Sequence, residues 1–148
     1  MSYLLDTNAI SEWVKPQPDP GIIRWFDEVD EDRTYLSVIT LGELRKGIER
    51  LARGRRRDRL EQWLTSELPD RFGERMLPFD VAVADEWGRV LAHAEQAGTA
   101  VGGIDALIAA TGRVHGLQVV TRNVARFRYL DVAVVSPWRG PYNVAVAK

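Results

Sequence analysis

Short apolar segments alternate along this chain with longer segments of helical periodicity, and this alternation limits the fold more than any other feature. Segments rich in β-branched and aromatic residues predict strands at 2–6 (SYLLD), 34–40 (TYLSVIT), 117–121 (LQVVT) and 132–136 (VAVVS), and a short extended piece at 75–80 (RMLPFD). Between them, apolar residues recur at helical spacing, as in Leu41, Leu44, Ile48 and Leu51. This order favours an α/β domain of three layers with a mainly parallel central sheet.

The size and composition of the chain fit one domain over residues 1–148. There is no cysteine, which excludes disulfides, thiolate metal sites and cysteine nucleophiles, so a metal would need oxygen ligands or His93 and His115. No stretch approaches the ~20 apolar residues of a membrane span, and no secretory leader is recognisable, so we expect a cytoplasmic protein. The net charge of −1 predicts no general attraction to nucleic acid.

The first predicted strand ends on an acid, because the apolar run YLL leads directly into Asp6. A strand that is buried on both faces reads as such a run, and open α/β sheets place their ligand sites at the carboxyl ends of strands. Asp6, with Thr7 and Asn8, also fits the N-terminal cap of the following helix. The residues alone leave both interpretations open.

A second acid, Glu43, lies at the junction between the strand 34–40 and the next helix. Its spacing from Thr40 is that of a capping box, in which Thr40 caps the helix and the Glu43 carboxylate accepts a hydrogen bond from the backbone amide of Thr40. Glu43 also comes just after the carboxyl end of its strand, as Asp6 does. Both acids are therefore expected at the same edge of a parallel sheet.

Two further polar residues occupy comparable places. Asp105 lies in the first turn of an apolar helix, where unpaired amides and the positive helix end favour an ionised carboxylate. Such an acid could serve only to stabilise the helix, but Gly102 and Gly103 before it allow a backbone or a ligand to approach closely. Asn123 follows the end of the strand 117–121.

One edge of the sheet would then carry four oxygen-bearing side chains, those of Asp6, Glu43, Asp105 and Asn123. Carboxylates that are packed together repel one another unless a cation neutralises them. Oxygen ligands suit Mg²⁺ or Mn²⁺ rather than zinc or copper. Sites of this kind commonly catalyse phosphoryl transfer.

Motifs along nearly the whole chain resemble those of the PIN-domain ribonucleases, and above all the VapC and FitB-like toxins of bacterial type II toxin–antitoxin modules. The matching segments are YLLDTNAISEW, YLSVITLGELRKGI, GGIDALIAATGRVHGLQVVTRN and the PW at 137–138. The resemblance implies a three-layer α/β/α fold and an endoribonuclease that depends on Mg²⁺ or Mn²⁺. It also implies a homodimer, or a larger complex with a small VapB- or FitA-like antitoxin that inhibits the enzyme.

The resemblance further implies roles for individual residues. Asp6 and Asp105 would bind the metal directly. Glu43, the family's second acid and part of the metal site, and Asn123 would hold metal-bound waters, one of which attacks the RNA phosphodiester. Many family members carry an acid at the position of Asn123, and some carry one at the position of Arg126. This chain has neither acid, so it departs from the family's pattern where a second metal would bind.

Other residues are candidates for binding RNA. The resemblance makes Thr7 a residue of the site lining. Arg55 and Arg56 belong to an arginine-rich segment that reads either as a solvated connection between helices or as a phosphate contact surface. Arg122, next to Asn123, is the candidate for the region of the scissile bond.

Histidines and tryptophans are predicted to be structural. His93 and His115 lie far in sequence from the acidic motifs, so we expect no histidine-based chemistry. Trp13 and Trp25 lie on short amphipathic helices and are typical core residues. The resemblance adds that an antitoxin groove between these helices would be lined by some of Ile10, Trp13, Trp25 and Phe26.

Alternative functions stay open on the sequence. Because Asn123 replaces an acid, the chain could be a catalytically weak or inactive PIN-fold module that binds RNA and an antitoxin. A receiver-like signalling domain is disfavoured, because no convincing lysine ends a late strand. DNA is an alternative substrate, since phosphodiester hydrolysis does not require a 2′-hydroxyl.

Overall fold

A computed structural model describes residues 1–138 and the backbone of 143–146. Its strands are β1 (Tyr3–Leu5), β2 (Thr34–Ser37), β3 (Met76–Leu77), β4 (Gln118–Val120), β5 (Ala133–Ser136) and β6 (Asn143–Val146). They form one sheet in the order β3-β2-β1-β4-β5-β6. The first five strands run parallel and β6 runs antiparallel to β5, so the predicted mainly parallel sheet is confirmed, while β6 was not predicted.

The described residues form seven α-helices: α1 (Thr7–Ile10), α2 (Pro20–Glu28), α3 (Val38–Glu49), α4 (Arg55–Gln62), α5 (Leu68–Phe72), α6 (Val81–Gln96) and α7 (Gly103–His115). A 3₁₀ turn, Ser11–Val14, continues α1, and a π-helical turn, Trp63–Glu67, joins α4 to α5. Gly98 and Gly116, which follow α6 and α7, have φ of 73° and 65°, as expected for glycines that end helices. None of the described helices is long and apolar enough to cross a membrane.

Helices cover both faces of the sheet and enclose two apolar cores. On one face, Leu5 of β1 packs with Ile10 and Trp25 among the helices α1 to α5. On the other face, Leu4 packs with Ile108 and other residues of α6 and α7. Both leucines are fully buried because successive side chains of a strand point to opposite faces. The continuous apolar run before Asp6 is thus explained by burial on both faces.

The second strand ends three residues earlier than its sequence predicts. β2 stops at Ser37, and Val38 already belongs to α3. The Ser37 hydroxyl caps α3 by accepting a hydrogen bond from the backbone N–H of Ile39 at 3.0 Å. The predicted capping box of Thr40 and Glu43 is therefore wrong, because the β-branched residues 38–40 become helical behind a serine cap.

Candidate active site

The Asp6 carboxylate lies at the carboxyl end of β1, beside the end of β4. Its backbone N–H donates to the carbonyl oxygen of Val120 at 3.0 Å, which ties it to β4. The residue is only 6% exposed. Its Oδ1 accepts a hydrogen bond from the Thr7 N–H at 2.9 Å and so caps α1. The capping interpretation is confirmed, and it uses only one of the two carboxylate oxygens.

The second oxygen of Asp6 is held by Thr121, a site residue that was not predicted from the sequence. Thr121 is fully buried, and its hydroxyl donates to Asp6 Oδ2 at 2.8 Å. The same hydroxyl oxygen accepts from the Asn123 N–H at 3.1 Å and from Asn8 Nδ2 at 3.4 Å. Since a hydroxyl has one proton and two acceptor positions, these contacts direct its proton to Asp6. Thr121 could have been found, because it follows β4 as Asp6 follows β1.

Asn8, in the first turn of α1, contacts the loop that follows β4. Its Nδ2 donates to Thr121, and its Oδ1 accepts from the backbone N–H of Arg122 at 3.1 Å. Asn8 was predicted only as a possible capping residue. The structure instead gives it a tertiary role, in which its side chain fixes the loop after β4 against the first turn of α1.

Glu43 lies in the second turn of α3 and faces Thr7. The Thr7 hydroxyl donates to Glu43 Oε1 at 2.5 Å. Hydrogen bonds to a charged acceptor are short and strong, so this contact orients the carboxylate. Thr7 thus holds Asp6 through its backbone N–H and Glu43 through its hydroxyl. One residue positions two acids from different elements.

Asp105 lies in the first turn of α7 and is partly buried. A Cβ atom at Gly102 would lie 3.1 Å from Asp105 Oδ2, which is a tight contact. The close approach predicted for the two glycines therefore applies to Gly102, and the approaching group is the Asp105 carboxylate itself. A Cβ at Gly103 would point into open space.

The three acids lie close enough to act on one another electrostatically, so they belong to one site. Burial raises the pKa of Asp6, hydrogen bonds from Thr121 and Thr7 oppose this rise, and the charges of Glu43 and Asp105 add to it. Burial also raises the pKa of Asp105, where the charge of Arg126 opposes the rise and Glu43 adds to it. The cluster has an excess of negative charge, which a cation would relieve.

A family model described as PIN domain matches residues 3–132. The chain belongs to the PIN-domain family. It is 39% identical over 135 residues to toxin FitB of Neisseria gonorrhoeae, covering 91% of this chain and 97% of FitB. It is 36% identical to VapC ribonuclease Y4jK of Sinorhizobium fredii, with 91% and 96% coverage. The crystal structure of FitAcB from N. gonorrhoeae superposes with a TM-score of 0.87 at 38% identity, covering 93% of this chain and 99% of that one.

Asn123, the fourth polar position of this PIN domain, directly precedes a 3₁₀ turn, Val124–Phe127. Its backbone N–H donates to Thr121. Within the part of the chain that the structure describes, its side chain makes no hydrogen bond. The amide group of Asn123 is thus free to contact a water molecule or a substrate.

The candidate RNA-binding arginines occupy different places around the PIN-domain site. Arg122 is exposed, and its backbone N–H is the group that Asn8 holds. Arg55 and Arg56 are exposed in the first turn of α4. Arg56 lines a groove that Thr7 and Glu43 also line, whereas Arg55 is not among the described residues of that lining.

The donor chemistry of the site fits a hard divalent cation. Asp6 and Asp105 offer only oxygen ligands, and each oxygen of Asp6 accepts one hydrogen bond, which leaves it a second lone pair. Among the described residues, no group of three or more acids, histidines or cysteines is placed so that it could hold a metal ion. A cation here would therefore take further ligands from water or from a phosphate, as Mg²⁺ commonly does.

Proposed function

We propose that this PIN domain is a divalent-metal-dependent endoribonuclease that acts as the toxin of a type II toxin–antitoxin module. The observation that carries the proposal is the cluster of three mutually repelling acids, Asp6, Glu43 and Asp105, at the carboxyl edge of the sheet. The likeness to a toxin, FitB, and to a VapC ribonuclease, Y4jK, supports it. An activity on cellular RNA would require a cytoplasmic location.

In the proposed mechanism, Asp6 and Asp105 would hold Mg²⁺ or Mn²⁺. A bound divalent ion supplies a more acidic water and positive charge beside the phosphodiester. Glu43 accepts the Thr7 hydroxyl at Oε1, so its Oε2 would orient the attacking water and take up a proton. Asn123 would bind the same water or the phosphate through its free amide group.

The proposal is tested by incubating the antitoxin-free protein with a mixed pool of structured RNA in Mg²⁺, in Mn²⁺ and in EDTA. Asp6→Asn and Asp105→Asn should each lower cleavage by at least about 10²-fold, because each removes a metal ligand. Asp85→Asn is the matched control, since Asp85 is an exposed acid of α6 that pairs with Arg89. It should cleave like the wild type.

Three results would count against this mechanism. Cleavage in EDTA would show that the reaction does not need a divalent metal. Equal cleavage by the wild type and the two site variants would show that Asp6 and Asp105 take no part in the reaction. Binding of RNA without cleavage under all metal conditions would favour the alternative, a PIN-fold binding module, for which the reason is that Asn123 stands where many family members carry an acid.

A groove on the face of α2 is our proposed site for the antitoxin. Trp13 and Phe26 line it together with Ile23, Trp63 and Arg71. Of the four residues named for such a groove, Ile10 and Trp25 instead lie in the core, 0% and 5% exposed. Aromatic side chains beside an arginine are typical of interfaces with protein partners, which supports a protein occupant. Loss of antitoxin binding in Phe26→Ala, with RNA cleavage retained, would support this placement.

A further inference from the structure

Arg126 is a basic neighbour of the acid cluster to which the proposed nuclease mechanism gives no role. Arg126 is exposed and belongs to the 3₁₀ turn Val124–Phe127, just after Asn123. Its positive charge lowers the pKa of Asp105 and so opposes the rise that burial causes. The guanidinium therefore lies within electrostatic reach of the cluster.

The backbone fixes Arg126 at this position. Its N–H donates to the carbonyl oxygen of Asn123 at 3.0 Å, and the next hydrogen bond of the turn joins Arg128 to Ala125 at 3.3 Å. Phe127, the adjacent residue, is fully buried in the core below α7. The turn packs against α7, whose first turn carries Asp105. The base of the side chain is thus anchored while its end stays at the surface.

Arg126 also has no salt bridge among the described residues. Arg71 and Arg113, by contrast, are held by acids at 2.6 to 2.8 Å. The donors of Arg126 are therefore available to an anion. A guanidinium binds phosphate through two parallel hydrogen bonds, which gives direction as well as charge.

We propose that Arg126 binds the scissile phosphate of the RNA on the Asp105 side of the acid cluster and stabilises the negative charge that grows on its non-bridging oxygens. The inference rests on the proposed ribonuclease function, because it takes RNA as the substrate. Arg126 supplies positive charge from the chain itself, beside the divalent ion that the acids are proposed to hold. The sequence made Arg122 the candidate for this region, but Arg126 is the arginine whose charge acts on Asp105.

The test compares Arg126→Gln and Arg126→Lys with Arg128→Gln. Arg128 is a matched control, because it is exposed and lies two residues away at the end of the same turn. Single-turnover cleavage in Mg²⁺ is measured on a labelled copy of an RNA from the pool that the wild type cuts. Binding of the same RNA is measured in EDTA by fluorescence anisotropy, so that one readout does not depend on the metal.

Arg126→Gln should slow cleavage by about 10²-fold, as expected when a donor to a developing oxyanion is removed. It should also weaken RNA binding by roughly threefold to tenfold, and Arg126→Lys should recover part of both losses because it restores the charge without the planar fork. Arg128→Gln should stay within about twofold of the wild type in both readouts, as expected of an arginine outside the site.

Equal rates for Arg126→Gln and the wild type would overturn the inference. So would equal losses in Arg126→Gln and Arg128→Gln, because the effect would then come from the general positive field. Failure of the wild type to cleave any RNA in the presence of metal would overturn the proposed function, and with it this inference. These failures are distinguishable, since only the last one removes the activity of the unmodified chain.

Discussion

The Asp6 carboxylate serves the fold and the candidate site at once. Its Oδ1 caps α1 through the Thr7 N–H, and its Oδ2 accepts the proton of the buried Thr121 hydroxyl. Both contacts favour the ionised form, which burial disfavours. The Asp6 carboxylate is therefore held in one orientation, in a buried place that disfavours its charge. Such a group gains stability when a cation binds beside it.

Replacement of Thr121 by valine tests this arrangement at the scale of one residue. Valine keeps the shape of threonine but removes the hydroxyl, so Asp6 Oδ2 loses its donor and two neighbouring N–H groups lose an acceptor. We expect the free energy of unfolding to fall by about 1–3 kcal/mol. The Mn²⁺ affinity should also fall, because the carboxylate is no longer held in place. Urea denaturation and a Mn²⁺ titration measure the two effects.

Thr121→Ser is the control for this prediction, because it keeps the hydroxyl and should restore the Mn²⁺ affinity. If serine and valine behave alike, the hydroxyl does not position Asp6 and only the volume of the side chain matters.

At the scale of elements, the sequence revealed the strand ends that carry acids but not the contacts between them. The positions of Asp6 and Asp105 in the fold could be predicted, because an acid at a strand end or in the first turn of a helix is a local signal. The role of Thr121 depends on β4 lying beside β1, which is a long-range pairing. The capping box failed because Ser37 caps α3 earlier, which leaves Thr40 fully buried inside the helix.

Glu12 ties the N-terminal elements together through a buried carboxylate that is only 1% exposed. It accepts hydrogen bonds from Lys15 Nζ at 2.6 Å, from the Asp19 N–H at 2.9 Å and from the Trp138 indole at 3.3 Å. The turn after α1, the loop before α2 and the residues after β5 therefore meet at one side chain. Burial acts to raise the pKa of Glu12, but these hydrogen bonds outweigh it and the pKa is lowered.

Glu12→Gln should destabilise the protein by about 1–3 kcal/mol at pH 7, because three donors then face a neutral amide. The lowered pKa means that the folded protein binds this proton less tightly than the unfolded chain. The stabilisation is present above the ordinary pKa of a glutamate and is lost as the pH falls through the lowered value. The difference in unfolding free energy between wild type and variant should thus shrink in acid.

Urea denaturation at several pH values, with Glu95→Gln as an exposed control on α6, measures this difference. A difference that is constant from neutral to acid pH would show that the charge of Glu12 does not stabilise the fold.

At the scale of the whole molecule, a net charge of −1 gives no general attraction to RNA, so local charge must guide it. One groove is lined by Thr7 and Glu43, by Leu44 and other aliphatic residues of α3, and by the basic residues Lys15 and Arg56. Because Lys15 is paired with Glu12, Arg56 is the basic residue of this lining that would hold the phosphate backbone of an RNA strand whose scissile bond lies at the acids.

Arg56→Gln should therefore weaken RNA binding more than Arg55→Gln, although the two residues are neighbours in α4. We expect the slope of log Kd against log salt concentration to fall by about the amount that one phosphate contact contributes for Arg56→Gln, and by less for Arg55→Gln. Fluorescence anisotropy over a range of salt concentrations measures both slopes. Equal slopes for the two variants would show that the arginine-rich segment acts only as a diffuse charge and that the groove does not guide the RNA.

We propose that, of the three acids at the carboxyl edge of the sheet, Asp6 and Asp105 hold a divalent cation that is used to cut RNA. The most direct measurement is a Mn²⁺ titration of the metal-free protein by electron paramagnetic resonance, with RNA cleavage followed in the same samples, for the wild type and for Asp105→Asn. Cleavage by the wild type should rise in step with bound Mn²⁺, and Asp105→Asn should lose both the binding and the cleavage. Undiminished Mn²⁺ binding in Asp105→Asn, or cleavage that does not follow the bound metal, would contradict this proposal.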